Sequence, residues 1–207
     1  MNTYLPIRFA EKDRASQLAL MRMYPLATLI TPGKQGPFAN HLPLLIEERD
    51  GGLVLIGHMA RANPQWRQFP DGNALAIFNG PQTYVTPSWY VDPLNVPTWN
   101  YAVVHASGPC VLIDDAKGIR KILDKSVAEF EKDEPKPWRM ELPETVAAGL
   151  VQAIVGFELK VEKLDAKFKL SQNRDEADRK GVLKGLATRK DEASRLILDL
   201  MLRGERS

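Results

Sequence analysis

At 207 residues, with 44% apolar content and a formal net charge of +2, the chain is long enough for one large domain or a domain with an appendage, and ordinary in composition for a globular protein. Its single cysteine, Cys110, excludes an intramolecular disulfide and a cysteine-rich zinc site and suits a reducing compartment. Charges interrupt the opening MNTYLPIRFAEKDR where a secretory signal needs an apolar run, and no stretch approaches the roughly 20 apolar residues of a membrane span, so a soluble cytoplasmic protein with no membrane attachment is expected. Charge is unevenly spread: Lys163 to Ser207 carries 12 basic and 8 acidic residues, against 16 and 18 in residues 1 to 162. Such a tail either meets an anionic partner or is a solvated helical face.

In chain order, Asp13 caps a helix to about Tyr24, which Pro25 ends. Short apolar runs punctuated by turn residues follow: Leu26 to Thr31, Phe38 to Ile46, and Leu53 to Met59. They read as strands of a meander, and Asp50-Gly51-Gly52 is a hairpin signal because a tight hairpin needs positive φ at its centre. Asn63 and Pro64 suit the cap and first position of a short helix through Phe69. Strands are expected at Asn73 to Asn79, Gln82 to Thr86 and Tyr101 to Ile113, the last bent at Gly108-Pro109. Asp114 and Asp115 precede an amphipathic helix with Ile119, Ile122, Leu123, Val127 and Phe130 on one side, and a short helix covers Glu144 to Gln152. Alternation in Gly156 to Leu164, running on towards Leu170, gives a half-solvated antiparallel strand. Two helices close the chain, Arg174 to Leu186 and a second capped by Asp191. The pattern is α+β with an antiparallel sheet or barrel. The glycine-rich turn of a dinucleotide fold and the GxxxxGK phosphate loop are both missing.

Three polar groups fall at strand ends, where a barrel opens onto a ligand: Asn40-His41; His58 to Pro64; and Lys167 to Asn173. Arg61 and the helix start after Asn63 suit a dianionic phosphate, the alternative being a surface ion pair; His58 is a ligand contact or a structural histidine. Lys169, Ser171, Gln172 and Asn173 offer the mixed donors and acceptors a heterocycle requires. GPQTYVTPSWYVDPLNVPTWNY, residues 80 to 101, gathers five aromatic residues among four prolines, and such a rigid segment serves as one wall of a site, a core plug or a subunit interface. His41, His58 and His105 lack metal-ligand spacing, and Ser88 lacks a nucleophile elbow, so no metal ligand or catalytic side chain is assigned.

HLPLL (41 to 45), GHMARANPQW (57 to 66), IFNGPQTYVTPSWY (77 to 90), VPTWNY (96 to 101), IVGFE (154 to 158) and KLSQNR (169 to 174) resemble, in order, the PaiB-type FMN-binding negative transcriptional regulators. The resemblance runs from about Met23 to Gly185. It implies an antiparallel split β-barrel of the flavin-reductase and pyridoxamine-phosphate-oxidase kind, residues 1–170, with peripheral helices and a helical C-terminal extension, residues 171–207, packed on the barrel or its dimer partner. It also implies a homodimer with FMN at the subunit interface. On that analogy Asn40, His41, His58, Arg61 and Asn63 line the ribityl-phosphate side, Lys169, Ser171 and Gln172 approach from a late strand, and Thr83, Trp89 and Trp99 meet the ring or the partner subunit. The regulatory half of the resemblance implies repression that is either direct, through contact of the C-terminal helices with DNA, or indirect, through metabolism; no helix-turn-helix, zinc finger or basic heptad region is legible. Two other activities fit the same scaffold: an oxidoreductase whose flavin takes hydride from NAD(P)H, and a haem-binding barrel with a histidine ligand.

Overall fold

Alternating apolar residues joined by tight turns pair their backbone groups most simply in antiparallel sheets. The computed structural model, which describes residues 3–34 and 36–203, bears this out. In order it contains α1 (Arg14–Met23), β1 (Leu26–Gly33), β2 (Gly36–Pro43), β3 (Leu45–Arg49), β4 (Gly52–Ala60), β5 (Ala74–Val85), β6 (Thr98–Gly108), β7 (Cys110–Ile113), α2 (Ala116–Phe130), α3 (Glu144–Gln152), β8 (Ile154–Val161), β9 (Lys163–Lys169), α4 (Glu176–Thr188) and α5 (Glu192–Arg203). Short 3-10 helices lie at Ile7–Phe9, Pro64–Asp71 and Pro87–Trp89. Five strands form one sheet in the order β2-β1-β5-β6-β9, and four form a second in the order β3-β4-β8-β7. The described residues fall into two compact units: the first from Met1–Leu20, Asn79–Val104 and Asp165–Ser207, the second from Met21–Phe78 and His105–Leu164.

In the second unit the β3–β4 hairpin closes as its sequence requires, with Arg49 opposite Gly52 and positive φ at Asp50 (49°) and Gly51 (76°). β4 then pairs with β8 from Leu53↔Val161 to Ala60↔Ile154. The run Phe38 to Ile46 is not one strand. It divides after Pro43, which has no N–H to continue a ladder, and the buried Leu44 donates its N–H to Pro25 O at 2.9 Å. Tyr101 to Ile113 divides at Pro109 in the same way, β6 staying in the five-stranded sheet while β7 joins the four-stranded one. Across this switch Lys160 N–H donates to Pro109 O (3.0 Å) and Glu162 N–H to Ser107 O (2.9 Å), and Glu162 is where β8 gives way to β9. The two strands expected at Asn73 to Asn79 and Gln82 to Thr86, by contrast, form one continuous strand, Ala74–Val85. β1 pairs only Leu75 to Ile77 of β5, so the donor missing at Pro81 removes no bond to β1.

The core of the second unit includes Leu45, Ile56 and Ile122 with Val54 and Ile113 against them. Phe69 and Phe157 meet at 5.4 Å between ring centroids with planes tilted by 56°. Burying a side chain of this size contributes about 1.5–3 kcal/mol, so these positions carry the sheet packing. In the first unit, Val182 and Leu186 of α4 and Ile197 and Met201 of α5 are completely buried. Both helices begin on the expected kind of cap: Asp175 accepts from Asp178 N–H, and Asp191 from Ser194 N–H, each at 2.8 Å.

Candidate functional site

The end of β4 carries the first group of polar residues, all in the second unit. Asn63 caps the 3-10 helix Pro64–Asp71, its Oδ1 accepting from Gln65 N–H at 3.1 Å, so the predicted short helix forms with tighter winding. Arg61 stands two residues earlier. Its backbone N–H donates to Ala153 O (2.8 Å), its Nε to Gln152 O (2.8 Å), and its Nη2 to Ile154 O (2.9 Å) and to Asp114 Oδ1 (2.6 Å). The guanidinium therefore caps the last turn of α3 and ties it to the residue before the Asp115 cap of α2. Both sequence readings of Arg61 meet here: it makes an ion pair, yet Nη1 has no partner among the described residues. The Asp114 carboxyl is held below its usual range by the hydrogen bond from Arg61.

His58 is half-buried on β4 opposite Gly156. Burial alone holds its imidazole below the ordinary histidine range, which favours the neutral ring. The unfolded chain then binds more protons than the folded one once pH drops below about 6.5, so stability should fall on that side. We expect His58→Gln to flatten the loss in urea midpoint between about pH 7 and pH 5; an unchanged pH profile would assign the acid sensitivity elsewhere. Asn40 and His41 sit on β2 opposite Leu29 and Thr28, His41 exposed, and Asn40 Oδ1 accepts from the His41 backbone N–H at 3.2 Å. Among the described residues no group of three or more His, Cys, Asp or Glu is placed to hold a metal. Burial also pushes the Cys110 thiol up to about 12, which removes it as a nucleophile at neutral pH.

The second group belongs to the first unit, and α4 organises it. The indole of Trp89 lies under the Arg189 guanidinium, 4.5 Å from the ring centroid, and beside Gly185, while the Trp89 backbone carbonyl lies against Gly181. Arg189 Nη1 also donates to Thr83 Oγ1 and Tyr84 O, both at 2.8 Å, and the buried Thr83 hydroxyl meets Ser194 Oγ at 2.9 Å. Further along, buried Asp178 accepts from Val91 N–H (2.6 Å), Asp92 N–H (3.3 Å) and Asn95 Nδ2. Arg174 packs 4.5 Å over Tyr90 and donates to Asn95 Oδ1. The proline-rich aromatic segment is thus held against the C-terminal helices of its own chain. Thr83 and Trp89 are enclosed by that packing.

Trp99 and Lys169 face outward. Trp99 is 52% exposed and meets Tyr84 edge-on, with ring centroids 5.9 Å apart. Lys169 Nζ donates to Trp99 O (2.7 Å) and to Thr98 Oγ1. Its ammonium is held below the ordinary lysine range by burial and by the positive charges of Arg174 and Lys167. Ser171 is buried with φ at +63°, in the left-handed region, where a hydroxyl pairing with fully buried Asn100 holds it (3.0 Å and 3.2 Å). Gln172 is exposed, but its amide folds back on its own turn, accepting from Leu170 N–H and donating to Phe168 O, each at 2.6 Å. Sequence reasoning missed Asn100, Arg174, Asp178 and Arg189 as determinants. Nothing distinguishes Asp178 or Arg189 from ordinary helix-end charges, whereas Asn100 and Arg174 lie inside the quoted VPTWNY and KLSQNR blocks.

The strand order and the groups at the strand ends define an antiparallel split-barrel protein of the α+β class. A family model described as "Putative FMN-binding domain" matches residues 3–163, and the chain belongs to that FMN-binding family, whose membership assigns FMN as its cofactor. Among curated proteins it is 34% identical to "Protease synthase and sporulation protein PAI 2" of Bacillus subtilis (strain 168), over 96% of this chain and 96% of that one. Among solved structures it is similar to the flavocytochrome Anf3 from Azotobacter vinelandii, with a TM-score of 0.62 and 17% identity over 82% of this chain and 74% of that one. The FAD and heme binding protein from Mycobacterium smegmatis gives a TM-score of 0.59 and 19% identity over 82% and 78%. At such identities the two structures speak to fold alone. Among the described residues no helix is long and apolar enough to cross a membrane.

Proposed function

We propose that this chain is a flavin-responsive negative regulator of transcription: a cytoplasmic homodimer whose split barrel takes FMN and whose C-terminal helices report its presence to DNA. One observation carries the reading. The likeness to PAI 2 spans 96% of the chain and so includes α4 and α5, which lie beyond the residues of the FMN-binding match and grip the aromatic segment of the first unit. The donor set of the second unit suits FMN, since Arg61 Nη1 retains unused N–H groups, as a phosphate requires. When bound, FMN supplies reversible electron transfer. The residues of that unit supply binding and orientation: Arg61, His58, His41, Asn40 and Asn63 to the ribityl-phosphate. In the first unit Lys169 and Trp99, with Thr83, Trp89, Ser171 and Gln172 through the backbone they hold, form that unit's own candidate ligand edge. Exposed Val91, Leu94 and Val96 offer the apolar surface for the second copy.

The test is an FMN titration followed by operator binding with and without FMN. Arg61→Ala should weaken FMN by about 1.5–3 kcal/mol. Because Arg61 also braces α3, Asp114→Ala is the decisive companion: it removes the side-chain acceptor from Nη2 without removing the cation, and should leave affinity intact or improve it. Equal losses in both variants would make Arg61 a brace only. Flavin-dependent, steeply salt-sensitive operator binding is the expected outcome. NADH or NADPH oxidation above the rate of free flavin, with no DNA binding, would replace the regulator by an oxidoreductase.

A further inference from the structure

Several cations sit against carboxylates: Arg49 on Glu47 and Glu158, Arg61 on Asp114, Arg120 on Glu144, Lys125 on Glu47 and Lys132 on Glu129 in the second unit, and Lys180 on Glu176 in the first. Three cations of the first unit are held differently. Lys167 Nζ donates to Tyr4 O at 3.2 Å and lies 5.2 Å and 5.7 Å from the ring centroids of Tyr4 and Tyr101. Lys169 Nζ has Trp99 O and Thr98 Oγ1, and Arg174 has the Tyr90 ring and Asn95 Oδ1. Every one of these partners is neutral. Lys167 and Lys169 alternate on β9 and so share a face of the sheet. Arg174 is close enough that its charge, like that of Lys167, disfavours the ammonium of Lys169. Asp178, reached from Arg174 through Asn95, already accepts from two backbone N–H groups and that amide.

Like charges gathered among neutral acceptors repel one another, and an oxyanion placed between them would relieve that repulsion while accepting their unused N–H groups. The aromatic rings alongside would add stacking surface. We propose that Lys167, Lys169 and Arg174 form an oxyanion site for a phosphate group on a ligand with a planar ring, additional to the phosphate assigned above to Arg61. The phosphate belongs to a second, nucleotide-like ligand or, where the flavin's single phosphate sits here in place of Arg61, to the flavin itself. Only the flavin source rests on the function proposed above.

The full chain should be titrated calorimetrically with inorganic pyrophosphate, alone and with saturating FMN or riboflavin. Lys169→Met and Arg174→Gln are the variants, and Lys169→Arg is the control that keeps the charge. Saturable binding is expected, weakened about tenfold or more by each neutral variant and kept by Lys169→Arg. Competition by FMN but not by riboflavin would assign the site to the flavin phosphate; binding that persists beside FMN would assign it to a second ligand. A protein that takes pyrophosphate but no flavin would overturn the flavin reading and uphold this one. No saturable binding to the unaltered chain, or an affinity in both neutral variants equal to that of the unaltered chain, would overturn the site.

Discussion

Gly185→Ala is expected to lower stability by about 1–3 kcal/mol, even though alanine is the better helix former. A Cβ at Gly185 would lie 2.2 Å from Cδ2 and Cε2 of Trp89, and one at Gly181 would lie 1.9 Å from Trp89 O. The indole has little room to retreat, since Arg189 lies over its ring while anchored to Thr83 and Tyr84. Gly149 in α3 supplies the opposite case, because a Cβ there meets nothing within 4 Å. Gly149→Ala should therefore be neutral or gain up to about 1 kcal/mol. Urea midpoints at constant m-value decide the matter: if both alanines stabilise, Trp89 is not wedged against α4 and the grip of the C-terminal helices on the aromatic segment is loose.

Asp178→Ala should be the most damaging single change at this junction, at about 3 kcal/mol or more. The carboxylate is 2% exposed and accepts from two backbone N–H groups and one amide, so truncation leaves three donors without partners in a place that water reaches poorly. Asp178→Asn is milder but not neutral. Asn95 is already read at both ends, its Oδ1 by Arg174 and its Nδ2 by Asp178, so an amide at 178 can satisfy the backbone donors only by setting an NH2 against another NH2. Limited proteolysis gives a local readout: cleavage within residues 91–96 should accelerate in Asp178→Ala. An unchanged cleavage pattern would show that the loop is rigid by virtue of its prolines alone.

These two changes bear on the proposed regulation because the positions lie in α4, outside the FMN-binding match, while the segment they hold adjoins Trp99 and Lys169. Trp99 and Lys169 adjoin Asn100, Leu170 and Ser171, which are tied to α5 and α4: Asn100 Nδ2 reaches Met201 Sδ at 3.7 Å, and Arg179 donates to both Leu170 O and Met201 O. That is a contiguous packed route from a candidate ligand edge to the helices proposed to meet DNA. Its effect on DNA affinity is what the operator experiment measures.

Much of the local structure follows from the sequence because its causes are local. Asp-Gly at 50–51 demands a tight hairpin, Asp13, Asp115 and Asp191 offer carboxylates to helix starts, and the alternation that begins at Phe157 in β8 is that of a half-buried strand. The motif blocks likewise make the family legible without coordinates. Where strands change sheets was not legible, since Pro43, Pro109 and Glu162 look like bends within a strand until the partner strands are known. Nor was the division of labour among the candidate residues. Asn63 is legible as a cap from the Asn-Pro pair alone, but Arg61, Lys169 and Ser171 are merely polar residues near strand ends in the sequence; only tertiary structure makes Arg61 a brace with one free nitrogen, Lys169 a cation among neutral partners and Ser171 a buried residue at positive φ. The physical reason is range. Turn chemistry, capping and periodicity act over a few residues and are written in the chain, whereas the environment of a polar group is set by residues such as Asp114 for Arg61 and Asp178 for the Val91 N–H, which lie far off in sequence and arrive only when the chain folds.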